Sequence, residues 1–147
     1  MKQFFRELLE YNYHFNQELG DVFLREAGKA SEKSFKLYSH ILNAHQVWNS
    51  RIEPGQTAFG VWDIHPVEAC KGIDKRNYDD SLRILDNLGL ELMIDYTTTR
   101  GDKFSNRLRD IVFHIINHGT YHRGQIATEF RQSGLTPLVS DFVLYKR

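Results

Sequence analysis

Apolar residues return at three- and four-residue steps over most of this chain, the spacing that keeps side chains on one face of an α-helix. Phe4, Phe5, Leu8, Tyr11, Phe15, Leu19, Val22 and Phe23 hold that period and predict a long amphipathic helix from about Lys2 to Glu26, with Gly28 placed to end it. Ser31 is a good N-cap for a second helix reaching about Ile52. Its apolar side draws on Phe35, Tyr38, Ile41, Leu42, Ala44, His45, Trp48 and Ile52, and Pro54 and Gly55 stop it. From Glu53 to Asn77 no period persists, so this stretch reads as a long connection that packs through Phe59, Val61, Trp62 and Ile64. A third helix is expected from near Asp79 to about Met93 on Leu82, Leu85, Leu88 and Leu92, weakened by about 1 kcal/mol at Gly89. Ile94 to Phe104 places β-branched and aromatic residues on either side of Arg100, Gly101 and Asp102, a hairpin pattern that needs a surface to pack on.

The last long helix, Asn106 to Gly134, differs from the others. Leu108, Ile111, Ile115, His118, His122, Gln125 and Glu129 lie on one seam, which begins apolar and turns polar halfway along. Residues four apart on a helix have Cβ atoms about 5–6 Å apart, so His118 and His122 can both reach one ion at the usual metal–nitrogen distance of about 2.0–2.1 Å. An inward histidine is often only a hydrogen-bonded core residue. Four polar groups in succession are many for a plain core, and a bound cation would supply their partners. Four helices joined by one long crossover predict an all-α, four-helix-bundle fold, and a chain of 147 residues reads as one domain. Thr136 to Arg147 closes it with Pro137 and the apolar tail Phe142, Val143, Leu144 and Tyr145.

Composition narrows the function. With 19 basic and 19 acidic residues the formal net charge is zero and no block of like charge stands out, which argues against nucleic acid as a partner. Near-neutrality also does little to oppose self-association, so a homodimer is plausible. Cys70 is the single cysteine, so no internal disulfide forms, as suits a reducing cytoplasm. The charged amino terminus is not a signal peptide, and no apolar run is long enough to cross a membrane.

A zinc- or nickel-type site needs a third protein ligand, and a bundle must bring it from a facing helix. The second helix offers His40 and His45. At about 100° per residue, His45 falls nearer the centre of that helix's apolar stripe, so periodicity favours it.

The string HIINHGTYHRGQI, His114 to Ile126, resembles the hallmark of the DinB/YfiT-like metalloenzyme family, which is unrelated to the DNA polymerase sharing the DinB name. YNYHFN near the amino terminus, the spacing of His40, Trp48 and Arg51, the YTTTRGDKF segment and the pair Asp141–Phe142 extend the resemblance over nearly the whole chain. It implies an up-down-down-up four-helix bundle, often dimeric, holding a divalent metal, commonly nickel or zinc, on three histidines. Two of these match His118 and His122; the third matches His40, against the stripe count. Three histidines leave a coordination position for water or substrate. HGTYH lacks the glutamate that serves as base in zinc proteases, so peptide hydrolysis by that route is unsupported. Characterised relatives resemble transferases and isomerases that use a low-molecular-weight thiol on a small-molecule electrophile. The competing expectations are a metal-dependent hydrolase of a small substrate, a non-catalytic, stress-related metal- or ligand-binding bundle, and a structural helical dimer.

Among the remaining polar residues, Gln125 is placed to orient a ligand or meet substrate, or to bond within the core. Arg123, off the seam, reads as an ion-pair or packing residue, Gly119 as a packing position and Trp48 as core. Tyr11, Asn12 and Asn16 are candidates to line the pocket, and Cys70 reads as an incidental loop residue.

Overall fold

The computed structural model describes residues 1–55 and 58–147. Four long helices carry it: α1 (Lys2–Arg25), α2 (Glu32–Ile52), α3 (Val67–Asn87) and α4 (Leu108–Gln132). A hairpin of β1 (Met93–Thr97) and β2 (Lys103–Arg107) separates α3 from α4, and a single turn, α5 (Phe142–Tyr145), lies near the carboxyl end. The chain is thus mostly helical, as its periodicity predicts. Helix α1 lies along α3 and α4, and α2 lies along both as well.

The first two helices fall where the apolar period puts them. Ser31 caps α2, its side chain accepting a hydrogen bond of 3.1 Å from the Ser34 amide. The third does not: α3 begins at Val67, some twelve residues before the expected start, and ends at Asn87, so the connection expected over 53–77 is much shorter. Within it, residues 56 and 57 lie outside the described residues. The inward face of α3 explains the difference, because it alternates Cys70, Ile73, Ser81 and Ile84 with Asp74 and Asn77, all buried. Polar residues at core positions erase the hydrophobic period that would announce a helix. Cys70 is accordingly a buried helix residue rather than a loop one, and Gly89 lies beyond the helix end.

The hairpin pairs Ile94 with Asn106 and Tyr96 with Phe104, turning through Gly101 at φ +90°, a conformation that suits glycine. Its inner side supplies the surface it needs: Ile94 is buried in the core and the Tyr96 ring packs on Trp48 at 5.1 Å between centroids. Asn106 belongs to β2, so α4 starts two residues later than its seam suggests. Arg107 gives that end no side-chain cap. Instead the carbonyls of Leu92 and Leu90 accept from the Leu108 and Arg109 amides at 2.8 and 3.1 Å, satisfying donors that a helix start leaves unpaired.

The apolar core divides in two. One cluster gathers Phe5, Leu9, Leu85, Leu108 and Val112; the other gathers Phe23, Tyr38, Leu42, Ile126 and Phe130. Between them lies a band of buried polar side chains, among them Asn12, Asn16, His45, Asn49, Asp74, Asn77, His122 and Arg123.

Candidate metal centre

Two parts of the band are hydrogen-bonded networks. Between α2 and α3, the Ser81 hydroxyl donates to Asn49 Oδ1 at 3.0 Å and therefore accepts from His45 Nε2 at 2.8 Å. Asn49 donates to the Asn77 carbonyl and Asn77 to the Leu42 carbonyl, each at 2.9 Å. Burial pushes His45 down to about 4, so its ring is neutral. It points at α3, not α4. The residue that periodicity favours as third ligand is therefore a core histidine.

Between α1 and α4, the Arg123 guanidinium donates to Asn12 Oδ1 at 2.7 Å and Asn16 Oδ1 at 2.9 Å. Asn16 in turn donates to Asp74 Oδ1 at 2.9 Å, and Gln17 to Asp74 Oδ2 at 2.8 Å. Burial raises Asp74 to about 7 against the pull of Gln17, Asn16 and the Arg123 cation. Asn12 and Asn16, candidates for the pocket lining, serve this network instead, and the Tyr11 hydroxyl donates to the Ser140 carbonyl at 2.6 Å. Gly119 is a packing position: a Cβ there would sit 2.5 Å from Asn12 Oδ1.

Between α2 and α4 the arrangement is different. His40, His118 and His122 come together, with ligand-capable atoms all within 4.8 Å of one another. The His40 ring centroid is 4.9 Å from that of His118 and 4.8 Å from that of His122. His40 Nδ1 lies 2.7 Å from the Val61 carbonyl oxygen, and His122 Nδ1 lies 2.7 Å from Gln125 Oε1. Oxygens of this kind only accept, so both Nδ1 atoms donate and Nε2 is the nitrogen each ring has left for a ligand. His122 Nε2 in turn faces His118 Nε2 at 3.1 Å. A lone pair aimed at another ring nitrogen needs a proton or a cation between them.

The donor set fits a divalent ion. Burial lowers His122, with the Gln125 bond opposing, and holds His118 down to about 3, helped by His122 and His40; neutral imidazole is the ligand form. Backbone carbonyl and amide acceptors on the far ring nitrogen are the usual way a protein orients metal-binding histidines. Nitrogens sharing one tetrahedral ion lie about 3.4 Å apart, so binding needs a contraction of up to about 1.4 Å in the widest pair. His40 and His118 are only partly buried and have room to make it.

A wall closes one side. Asn43 donates to the Asp63 carbonyl at 2.8 Å, and Gln46 Oε1 accepts from the Phe59 amide at 3.0 Å, so the segment before α3 is strapped along α2. It stacks Trp62 flat on His40, with centroids 3.9 Å apart and planes within 10°. Trp62, whose partner the sequence pattern did not indicate, remains half exposed at 50%. Glu129, at the far end of the seam, turns away from the histidines and accepts from Ser31 at 3.0 Å while pairing with Lys33 at 3.1 Å.

The sequence model of the DinB family matches residues 1–147. A stretch of 36 residues, 24% of this chain, is 44% identical to the protein DinB of Bacillus subtilis strain 168. That match spans about a fifth (21%) of the curated relative's length.

Proposed function

The chain belongs to the DinB family, and from that premise we propose that it is a divalent-metal-dependent enzyme whose three-histidine centre is His40, His118 and His122, most simply a thiol-dependent transferase. The observation that carries this reading is the convergence of three imidazoles: His40 and His122 each donate an Nδ1 hydrogen to a carbonyl oxygen, which leaves Nε2 for a ligand, and the ligand-capable atoms of His40, His118 and His122 all lie within 4.8 Å of one another. We read the four long helices as the up-down-down-up bundle that presents such a centre between facing helices.

A bound nickel or zinc ion would lower the pKa of a thiol or water and offset developing negative charge. The chain's own residues do the rest. Val61 and Gln125 fix the two ring orientations, and Trp62 shields the His40 face from water. Tyr121 stands 5.0 Å from His122 and is 63% exposed, so its hydroxyl flanks the open side, where a small-molecule electrophile and a low-molecular-weight thiol would enter. HGTYH has glycine where the zinc proteases carry the glutamate that serves as base, so the reading is of group transfer and not of peptide hydrolysis.

Elemental analysis of the untagged protein tests the reading. Near one equivalent of metal is expected in the wild type and in His45→Gln, and almost none in His118→Ala. Metal-dependent consumption of an electrophile together with a thiol should follow the metal content. A wild type that takes up no zinc or nickel on reconstitution would overturn the proposal.

A further inference from the structure

Helices α1 and α4 meet less closely than the other neighbouring pairs of the bundle, and the carboxyl-terminal stretch lies along the seam between them. A groove of ≈ 600 Å³ remains there, lined by Leu8, Phe113, Ile116, Leu138, Val139 and Phe142. On α4 it takes the side turned away from the histidines, since Phe113, Thr120 and Gly124 fall about 120° or more from both His118 and His122 around the helix. Phe113 is 53% exposed and Val139 68%, and Val143 and Leu144, which follow Phe142, are exposed as well. Apolar side chains held open to water in one groove mark a surface that meets a partner.

Which partner is decided by charge. Two charged side chains line the groove, Arg131 and Asp141, and they stand towards opposite ends of it. Arg131 lies in the last turn of α4, at the end where Leu138 packs on the Phe23 and Phe130 cluster. Asp141 adjoins Phe142, which packs on the Phe5 and Val112 cluster. Among the described residues neither has an ion-pair partner, and the Asp141 carboxylate does not cap its own helix. Other charges close by in the chain are paired, Lys146 with Glu7 at 3.0 Å and Glu129 with Lys33 at 3.1 Å. An apolar groove with a cation at one end and an anion at the other is complementary to a copy of itself turned end for end, which is what a twofold interface requires. Gly124 lies along it with open space where a side chain would stand, so a second helix can come close.

We propose that this groove is the interface of a homodimer, in which two copies lay α4 against α4 about a twofold axis and Arg131 of each copy meets Asp141 of the other. The apolar lining supplies the attraction, and the two end pairs fix the register, since matched charges add modest affinity but mismatched ones are costly. The interface lies on the opposite side of α4 from the three histidines and does not depend on a metal.

Sedimentation velocity of the full chain over a concentration series tests this. The wild type should dimerise. Asp141→Arg and Arg131→Asp each place like charges at both end contacts, so each variant should self-associate at least tenfold more weakly. Mixed in equal amounts, the two variants restore opposite charges at both contacts and should pair with nearly wild-type affinity. A wild type that stays monomeric at its highest soluble concentration would overturn the proposal. So would a dimer that both variants leave unchanged, or a mixture that associates no better than either variant alone. Both residues are exposed, so the variants should keep the fold, and circular dichroism checks that the mixture compares folded chains.

Discussion

His45 and His122 are both buried histidines on helices that face each other, yet they do opposite things. His45 gives its one ring hydrogen to Ser81 inside a chain of bonds that ends on backbone carbonyls. His122 gives its hydrogen to Gln125 and aims its lone pair at another histidine. The first network satisfies nearly everything within the protein, with the buried His45 Nδ1 left over. The second brings two ring nitrogens to 3.1 Å of each other with a third histidine beside them. Burial alone therefore says little about role; the direction in which the unused nitrogens point says a great deal.

That comparison breaks most visibly at the metal. His118→Ala should abolish metal binding while His45→Gln keeps near one equivalent, measured by elemental analysis after dialysis. Equal loss from both would make the two networks the same kind of thing. In the wild type, chelation should lower the melting temperature, since an ion at a hundred times its Kd stabilises by about 2.7 kcal/mol; His118→Ala should show no such response.

The satisfied networks are exposed next. Arg123→Met leaves Asn12 and Asn16 with buried oxygens that no longer have a donor and deprives Asp74 of its nearby cation. A loss of about 3–5 kcal/mol is expected in urea unfolding. A change below about 1 kcal/mol would mean that water replaces the guanidinium.

Acid separates the networks by sign. His45 has a folded pKa of about 4, below its unfolded value, so its contribution is complete above about pH 6.5 and is lost as pH falls towards 4, by about 3 kcal/mol. Asp74, raised to about 7, works the other way: its contribution is complete below about pH 4 and is lost as pH rises through 7. The two oppose each other over the same range. In metal-free protein His45→Gln should flatten the acid-side loss and Asp74→Asn should steepen it, read from urea midpoints at pH 7, 5.5 and 4.5.

The smallest effect sharpens the comparison. Gln125→Leu removes only the acceptor of the His122 Nδ1 hydrogen, and should weaken metal binding about 10–100-fold with less than about 1 kcal/mol lost from the fold. Competition with a chromogenic chelator measures it. An unchanged affinity would mean that Gln125 does not orient the ring.

Much of the fold was legible because most of its helices bury apolar residues in register. Helix α1 was readable to within a residue, and the hairpin was visible in its turn residues. Helix α3 was not, since Asp74, Asn77 and Ser81 occupy inward positions that a hydrophobic count treats as loop. At the candidate site, the spacing of His118 and His122 was plain because a single helix fixes it. The choice between His40 and His45 was not. Helix α2 packs against both α3 and α4, so its buried arc is wide and its centre does not indicate which neighbour a side chain faces. Only the family pattern pointed to His40. Trp62 and the strap that carries it left no period at all.

The bond from His40 Nδ1 to the Val61 carbonyl joins a ring nitrogen to a backbone atom 21 residues further along the chain. The imidazole thereby becomes a gauge of the strap's attachment. A detached strap would let the ring proton redistribute between its two nitrogens, so the nitrogen chemical shifts of one histidine would record, in solution, whether that stretch of chain is seated.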